Sequence, residues 1–318
     1  MSEAAGTIIS DSVQRFYFSD IALRGAIVQL DNSYVEALNG RDYASAVQLL
    51  VGEALAATVL MGSNLKHAAR ISMQARGNGP LSLLMAESSC ALSTSGDAAA
   101  SQRVRALARC KNDHPNAGHL AAEDPSLAEL LLDAQLAITL ETRKNNATER
   151  YQGIVALDCA RLAGCLEHYF VRSEQLPTAM VLAAGPQRAG GLMVQKIPDR
   201  DSANGLCDVA ATDWEEMVVL AHSLREQELL GLAPEQLLHR LFHQHACRLE
   251  QRQPVAFACT CSAERTGAAL LQLDPREVDD MLEADGEIIM DCEFCSARYR
   301  FDRTSIKQLN AGSPATRH

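Results

Sequence analysis

At 318 residues, 47% of them hydrophobic and 22% charged, the chain has ordinary globular composition and length for two domains, which excludes wholesale disorder. Its 29 lysines and arginines against 40 aspartates and glutamates leave a formal charge of −11. That balance argues against generic nucleic-acid binding, which needs basic surface to displace counterions from phosphate.

The leading segment MSEAAGTIISDSVQRF has no basic run followed by an apolar stretch, so it does not read as a secretory signal. Alternation across 13–30 predicts strand material, broken near Ser19 and Asp20. Residues 43–67 predict the clearest helix, with Val47, Leu50, Val51, Ala54, Leu55, Thr58 and Leu65 at three- and four-residue spacing. Its apolar part, 46–61, carries Glu53 at the middle and reads as too short to cross a bilayer. Short strands are expected at 70–75 and 81–87, joined by the turn Gly77-Asn78-Gly79-Pro80. Residues 92–125 read as irregular, with a low-complexity mobile loop at 93–101. A hairpin is expected at 136–142 and 149–157, then a helix at 160–172. Cys159 and Cys165, six residues apart, are expected on opposing faces of that helix as buried small hydrophobes. Strands at 178–183 and 192–197, with Gly190-Gly191 between them, close the region. Strands and helices mix without the regular alternation of a doubly wound sheet, so the fold class is α+β.

After Pro198 the composition shifts. Residues 199–205 form a turn-rich boundary, and 208–247 show only helical patterning, at 214–225 and at 234–242 with Pro234 as a helix start. The stripe Trp214, Met217, Val218, Ala221 and Leu224 must dock on a neighbour, because this stretch cannot bury a core of its own. The expected organisation is a mixed sheet-and-helix core domain at 1–200, a helical linker at 201–255 and a small zinc-binding domain at 256–318. The last is below the size at which cores are self-sufficient without a staple.

Six of the ten cysteines stand alone: Cys90, Cys110, Cys159, Cys165, Cys207 and Cys247. The other four form the pairs Cys259-Thr-Cys261 and Cys292-Glu-Phe-Cys295, with 30 residues between them. Without an export signal this usage points to a reducing compartment, the cytoplasm. Two short pairs at such a distance supply four thiolates, the donor set of a closed tetrahedral zinc site. The competing readings are four unrelated buried cysteines or a thioredoxin-like pair at Cys292 and Cys295, which lacks a βαβ context. The intervening residues predict a helix at 275–284, a turn at Asp285-Gly286 and a strand at 287–290. Arg298, Arg300, Arg303 and Lys307 beside the second pair are the sole support for a zinc-ribbon nucleic-acid binder. His239, His243, His245 and Cys247 cluster within nine residues, and the two histidines one turn apart read as solvent-facing at a helix end. No phosphate loop of the Gly-x-x-x-x-Gly-Lys type occurs, so an ATP-driven cycle is unsupported.

The C-x-C pair is the unusual part. The run FACTCSAERT, EVDDMLEADGEI and CEFCSARYRF resembles the switch of the thirty-three-kilodalton redox-regulated heat-shock chaperone family. The resemblance extends to YASAVQLLVGEALAATVLM, RGNGPLSLLMAE, YQGIVALD, YFVRSEQLPT and GGLMVQKIP, while the loop 91–116, rich in alanine and serine, departs from the family pattern. The resemblance implies a cytoplasmic, ATP-independent holdase rather than an enzyme, inactive when reduced with one zinc per chain on Cys259, Cys261, Cys292 and Cys295. It further implies that oxidation pairs Cys259 with Cys261 and Cys292 with Cys295, releases zinc, and unfolds the small domain and linker. Unfolding clients are then held, often by a dimer; nucleic acid and membrane are not expected partners. The energies agree: a structural zinc site contributes about 10–16 kcal/mol, comparable with the stability of a whole domain, about 5–15 kcal/mol.

Overall fold

The protein is described from a computed structural model covering residues 11–65, 69–90, 101–122, 124–144, 147–197 and 210–312. The expected boundary at 199–205, Cys207 and all but the last residue of the loop 93–101 lie outside the described residues. The chain divides into two units, Met1–Ala258 and Cys259–His318.

In the first unit the elements run β1 (Ser12–Phe18), β2 (Leu23–Leu30), α1 (Asn32–Leu38), α2 (Ser45–Ser63), β3 (Ala69–Arg76), β4 (Leu81–Cys90), β5 (Gln102–Cys110), α3 (Leu127–Leu131), β6 (Gln135–Lys144) and β7 (Ala147–Ala156). They continue with α4 (Leu162–Tyr169), β8 (Thr178–Ala184), β9 (Ala189–Lys196), α5 (Ala211–His222), α6 (Glu226–Gly231), α7 (Pro234–Phe242), β10 (Cys247–Leu249) and β11 (Gln253–Phe257). All eleven strands join one sheet in the order β7-β6-β3-β4-β5-β11-β1-β2-β9-β8, with β10 paired to β1. The β5–β11 pairing is parallel.

Both faces of β2 are buried, so its run LRGAIVQL is nearly continuous in apolar residues. Period two sorts them: Ala26, Val28 and Leu30 enter the core beneath α2, whereas Leu23 and Ile27 enter a second core with α5, α6 and α7. Phe242 of α7 anchors that second core against Phe18, edge to face at 5.3 Å. Gln29, buried on the same side as Ile27, donates from Nε2 to the carbonyls of Leu229 and Leu232 at 2.9 and 2.8 Å and ties down α6.

Four expectations need correction. The helix at 43–67 runs as α2 over 19 residues, long and apolar enough by length and composition to cross a membrane; it instead packs against β2–β5, β8 and β9. The stretch 92–125, read as irregular, contains β5, where Gln102, Val104 and Ala106 face inward while the arginines between them mask the alternation. Gly190 and Gly191 lie inside β9, and the turn is made by Gly185, whose N–H donates to the Arg188 carbonyl at 2.7 Å. A Cβ on Gly191 would come within 2.7 Å of Leu60 Cδ1, so glycine there serves close packing. Finally, Cys159 is not on α4, which begins at Leu162; it sits in the preceding turn, half-buried, and Cys165 donates to its carbonyl at 3.9 Å.

The second unit comprises α8 (Ala263–Leu270), α9 (Pro275–Asp285), β12 (Glu287–Asp291), β13 (Arg298–Asp302) and α10 (Arg303–Gly312). Ser262 caps α8, and Asp274 caps α9 with Pro275 at its first position. Gly286, at φ 78°, ends α9 in the left-handed conformation that glycine adopts most readily. Its core is small: Leu270, Val278, Leu282, Ile288, Phe301 and Ile306.

Candidate metal centre

The four paired cysteines come from two separate places in the second unit, its first residues and a turn in its middle. Cys259 and Cys261 lie just ahead of the Ser262 cap of α8. Cys292 and Cys295 occupy the turn joining β12 to β13, whose base is held by the Arg298–Asp291 pair at 2.8 and 2.9 Å. Within the turn Cys292 N–H donates to the Ala297 carbonyl and Ser296 N–H to the Cys292 carbonyl, both at 2.8 Å. Ser296 takes a left-handed φ of 56°, which bends the chain so that both sulfurs face one point.

Cys259 Sγ lies 3.6 Å from Cys292 Sγ, and Cys261 Sγ lies 3.4 Å from Cys295 Sγ. All four sulfurs fall within 4.8 Å of one another, and all four residues are half-buried. A tetrahedral zinc with sulfur bonds of about 2.3 Å has edges of about 3.8 Å, so the donor set fits a metal ion of that kind. Tyr299 Oη donates to Cys261 Sγ at 3.0 Å. Desolvation by burial, reinforced by the neighbouring sulfurs, pushes the Cys295 thiol up to about 12. The hydrogen bond to Cys261 similarly lifts Tyr299 to about 12, so it remains a donor. Four crowded thiols become thiolates together only if a cation offsets their charge.

Residues 11–302 match the family model described as Hsp33 protein. The chain belongs to the Hsp33 family. The 33 kDa chaperonin of Azotobacter vinelandii is 41% identical over 318 residues, covering 97% of this chain and 99% of its own. That of Shewanella sp. (strain MR-4) is 38% identical over 309 residues, again covering 97% and 99%. The crystal structure of the 33 kDa chaperonin (heat shock protein 33 homolog) from Thermotoga maritima shares the fold, with a TM-score of 0.72 at 21% identity over 94% of this chain and 97% of that one. This is therefore a chaperone-family chain whose small unit gathers four cysteines that could hold a metal ion.

Elsewhere in this Hsp33-family chain, the stripe predicted at 214–225 lies on and just after α5. Met217 and Ala221 are fully enclosed and Leu224, beyond the helix end, is buried. Trp214 and Val218 are half-buried against the same second core, with Lys196 Nζ 5.7 Å from the centre of the indole ring. His222 Nε2 lies 2.8 Å from Glu167 Oε1, tying the end of α5 to α4. His239 and His243 are exposed, with ring centres 6.4 Å apart, whereas His245 meets Asp20 at 3.1 Å. Burial pushes the Cys247 thiol up to about 12. Arg298, Arg300 and Arg303 pair with Asp291, Glu287 and Asp279 respectively. Tyr299 carried no sequence signal beyond its place one alternation from Phe301 on β13.

Proposed function

We propose that this chain is a redox-regulated, ATP-independent holdase, silent while Cys259, Cys261, Cys292 and Cys295 are reduced and hold one zinc tightly, and active once they are oxidised. The carrying observation is the convergence of four sulfurs, two from just ahead of α8 and two from the β12–β13 turn, in a unit whose buried core is six side chains among the described residues. Zinc, when bound, would cross-link the segment ahead of α8 to the β12–β13 turn and reinforce a small core. Oxidation of each cysteine pair transfers two protons and two electrons to an oxidant of the peroxide class, forming one sulfur–sulfur bond and water. A disulfide sulfur carries no charge with which to bind a cation, so the pairs surrender their ion and the unit loses its staple. The proposal has the helices α5–α7 release in turn, exposing the Trp214, Met217, Val218, Ala221 and Leu224 stripe to unfolding clients in the cytoplasm. The oxidised chains act as dimers.

Two further readings are weaker. A nucleic-acid-binding ribbon would use Arg298, Arg300, Arg303 and Lys307, yet the three arginines already face carboxylates. A thiol oxidoreductase needs two sulfurs, and here four converge. The test maps disulfides by mass after peroxide treatment, alongside suppression of client aggregation. The expected links are Cys259–Cys261 and Cys292–Cys295, with protection appearing only after oxidation. A Cys261–Cys295 link, between sulfurs already 3.4 Å apart, would overturn the pairing, and full protection by reduced protein would overturn the switch.

A further inference from the structure

A second cluster of soft and borderline donors lies in the first unit, formed entirely by residues 158–172. Asp158 and Cys159 occupy the turn between β7 and α4, and His168 lies in the last turn of α4. Cys159 Sγ is 3.5 Å from His168 Nδ1 and 3.6 Å from Asp158 Oδ1, and Nδ1 is 3.3 Å from that same Oδ1. We propose that these three side chains form a second metal site, for a divalent transition ion of the zinc or cobalt class, with a water completing the coordination.

The triangle itself carries the argument. Zinc binds sulfur at about 2.3 Å, imidazole nitrogen at about 2.0–2.1 Å and carboxylate oxygen at about 2.0–2.2 Å. At tetrahedral angles those bonds place sulfur and nitrogen about 3.6 Å apart, sulfur and oxygen about 3.5–3.7 Å apart, and nitrogen and oxygen about 3.3–3.5 Å apart. All three observed edges agree to about 0.1 Å, so the donors already form one face of the coordination tetrahedron. A thiolate, an imidazole and a carboxylate together suit zinc and cobalt better than magnesium or calcium, which prefer oxygen alone.

The surroundings hold this face in place. Arg172 Nη1 lies 3.6 Å from Asp158 Oδ2, which leaves Oδ1 toward the cysteine and histidine. The buried Cys165 thiol donates to the Cys159 carbonyl at 3.9 Å and fixes that backbone. Gly164 makes room for the cysteine, since a Cβ there would lie 3.3 Å from both Cys159 Cβ and Sγ. Asp158 and His168 are exposed, so an ion reaches the face from solvent without any opening of the fold. On binding, the Cys159 proton passes to water as the metal–sulfur bond forms. Three protein ligands leave a fourth position to water, in contrast to the closed four-sulfur set.

The test titrates cobalt(II) into the reduced, zinc-free full chain and follows its absorption. The expected result is two equivalents, the second weaker and showing charge transfer from a single thiolate. Cys159→Ser, at a half-buried position, and His168→Gln, at an exposed one, should each abolish the second equivalent and leave the first. The full chain with Cys259, Cys261, Cys292 and Cys295 all changed to serine should keep the weaker equivalent, and zinc(II) should displace cobalt from it. Saturation of the wild-type chain at one equivalent would overturn the proposal. So would survival of the second equivalent in both variants, or its loss in His239→Ala, which would move the ion to the exposed histidine pair on α7.

Discussion

Glu53 stands in the middle of α2 and faces a cavity of about 320 Å³ that Asp124, Arg161 and Glu226 also line. Burial pushes its carboxyl up to about 7; Arg161 draws it down, and Glu226 and Asp124 push it up again. The folded state thus binds the proton more tightly than the unfolded chain. The stability gained is full below the ordinary carboxylate range and is lost as pH rises through about 7. Glu53→Gln, which cannot ionise, should raise stability by about 2–3 kcal/mol near pH 8 and by less than about 1 kcal/mol around pH 5. Urea midpoints at the two pH values check this, and an equal gain at both would mean that folding does not shift the titration of the carboxyl. At the cysteine centre, Cys292→Ser keeps the backbone hydrogen bonds of the turn but leaves three sulfurs, an exchangeable set. Zinc affinity measured against a chelator should fall by orders of magnitude; undiminished affinity would mean the ligand set is wrong.

α5 seats its enclosed Met217 and Ala221 in the second core, which makes it the element to perturb. Met217 is fully enclosed, so Met217→Glu removes about 1.5–3 kcal/mol of apolar burial and adds the cost of a desolvated carboxylate. The helix should undock, read as a red shift of Trp214 emission, and the variant should suppress aggregation without oxidant while its zinc is retained. A red shift without activity would mean that undocking alone is insufficient. Much at this scale was legible in sequence. α7 and α9 announced themselves by proline starts and apolar spacing, and β6–β7 by alternation, because those signals are local. α1, α3 and α6 were not, since helices of five to seven residues span too little for a period to emerge. β11 owes its place between β5 and β1 to pairing with residues far away in the chain. The paired cysteines were legible because a turn brings each pair together. The Asp158, Cys159 and His168 group was not, because it depends on where α4 begins.

The two units differ in what supports them. The first buries two extensive cores on opposite faces of an eleven-stranded sheet, and the second has six buried apolar side chains among the described residues. Loss of a staple should therefore unfold the second unit and spare the sheet of the first, a division of stability suited to a reversible switch. Only Ala258 separates β11 from Cys259, so the last strand of the first unit and the cysteine centre are neighbours in sequence. On the proposed mechanism, release of the ion by the four cysteines and the capture of clients are one event. The most direct measurement follows zinc release and light-scattering protection together, in one sample, as peroxide is titrated into the reduced protein. Both should rise in step as the thiols of Cys259, Cys261, Cys292 and Cys295 disappear, and both should reverse on reduction with zinc present. Full protection by the reduced, zinc-loaded protein would contradict it.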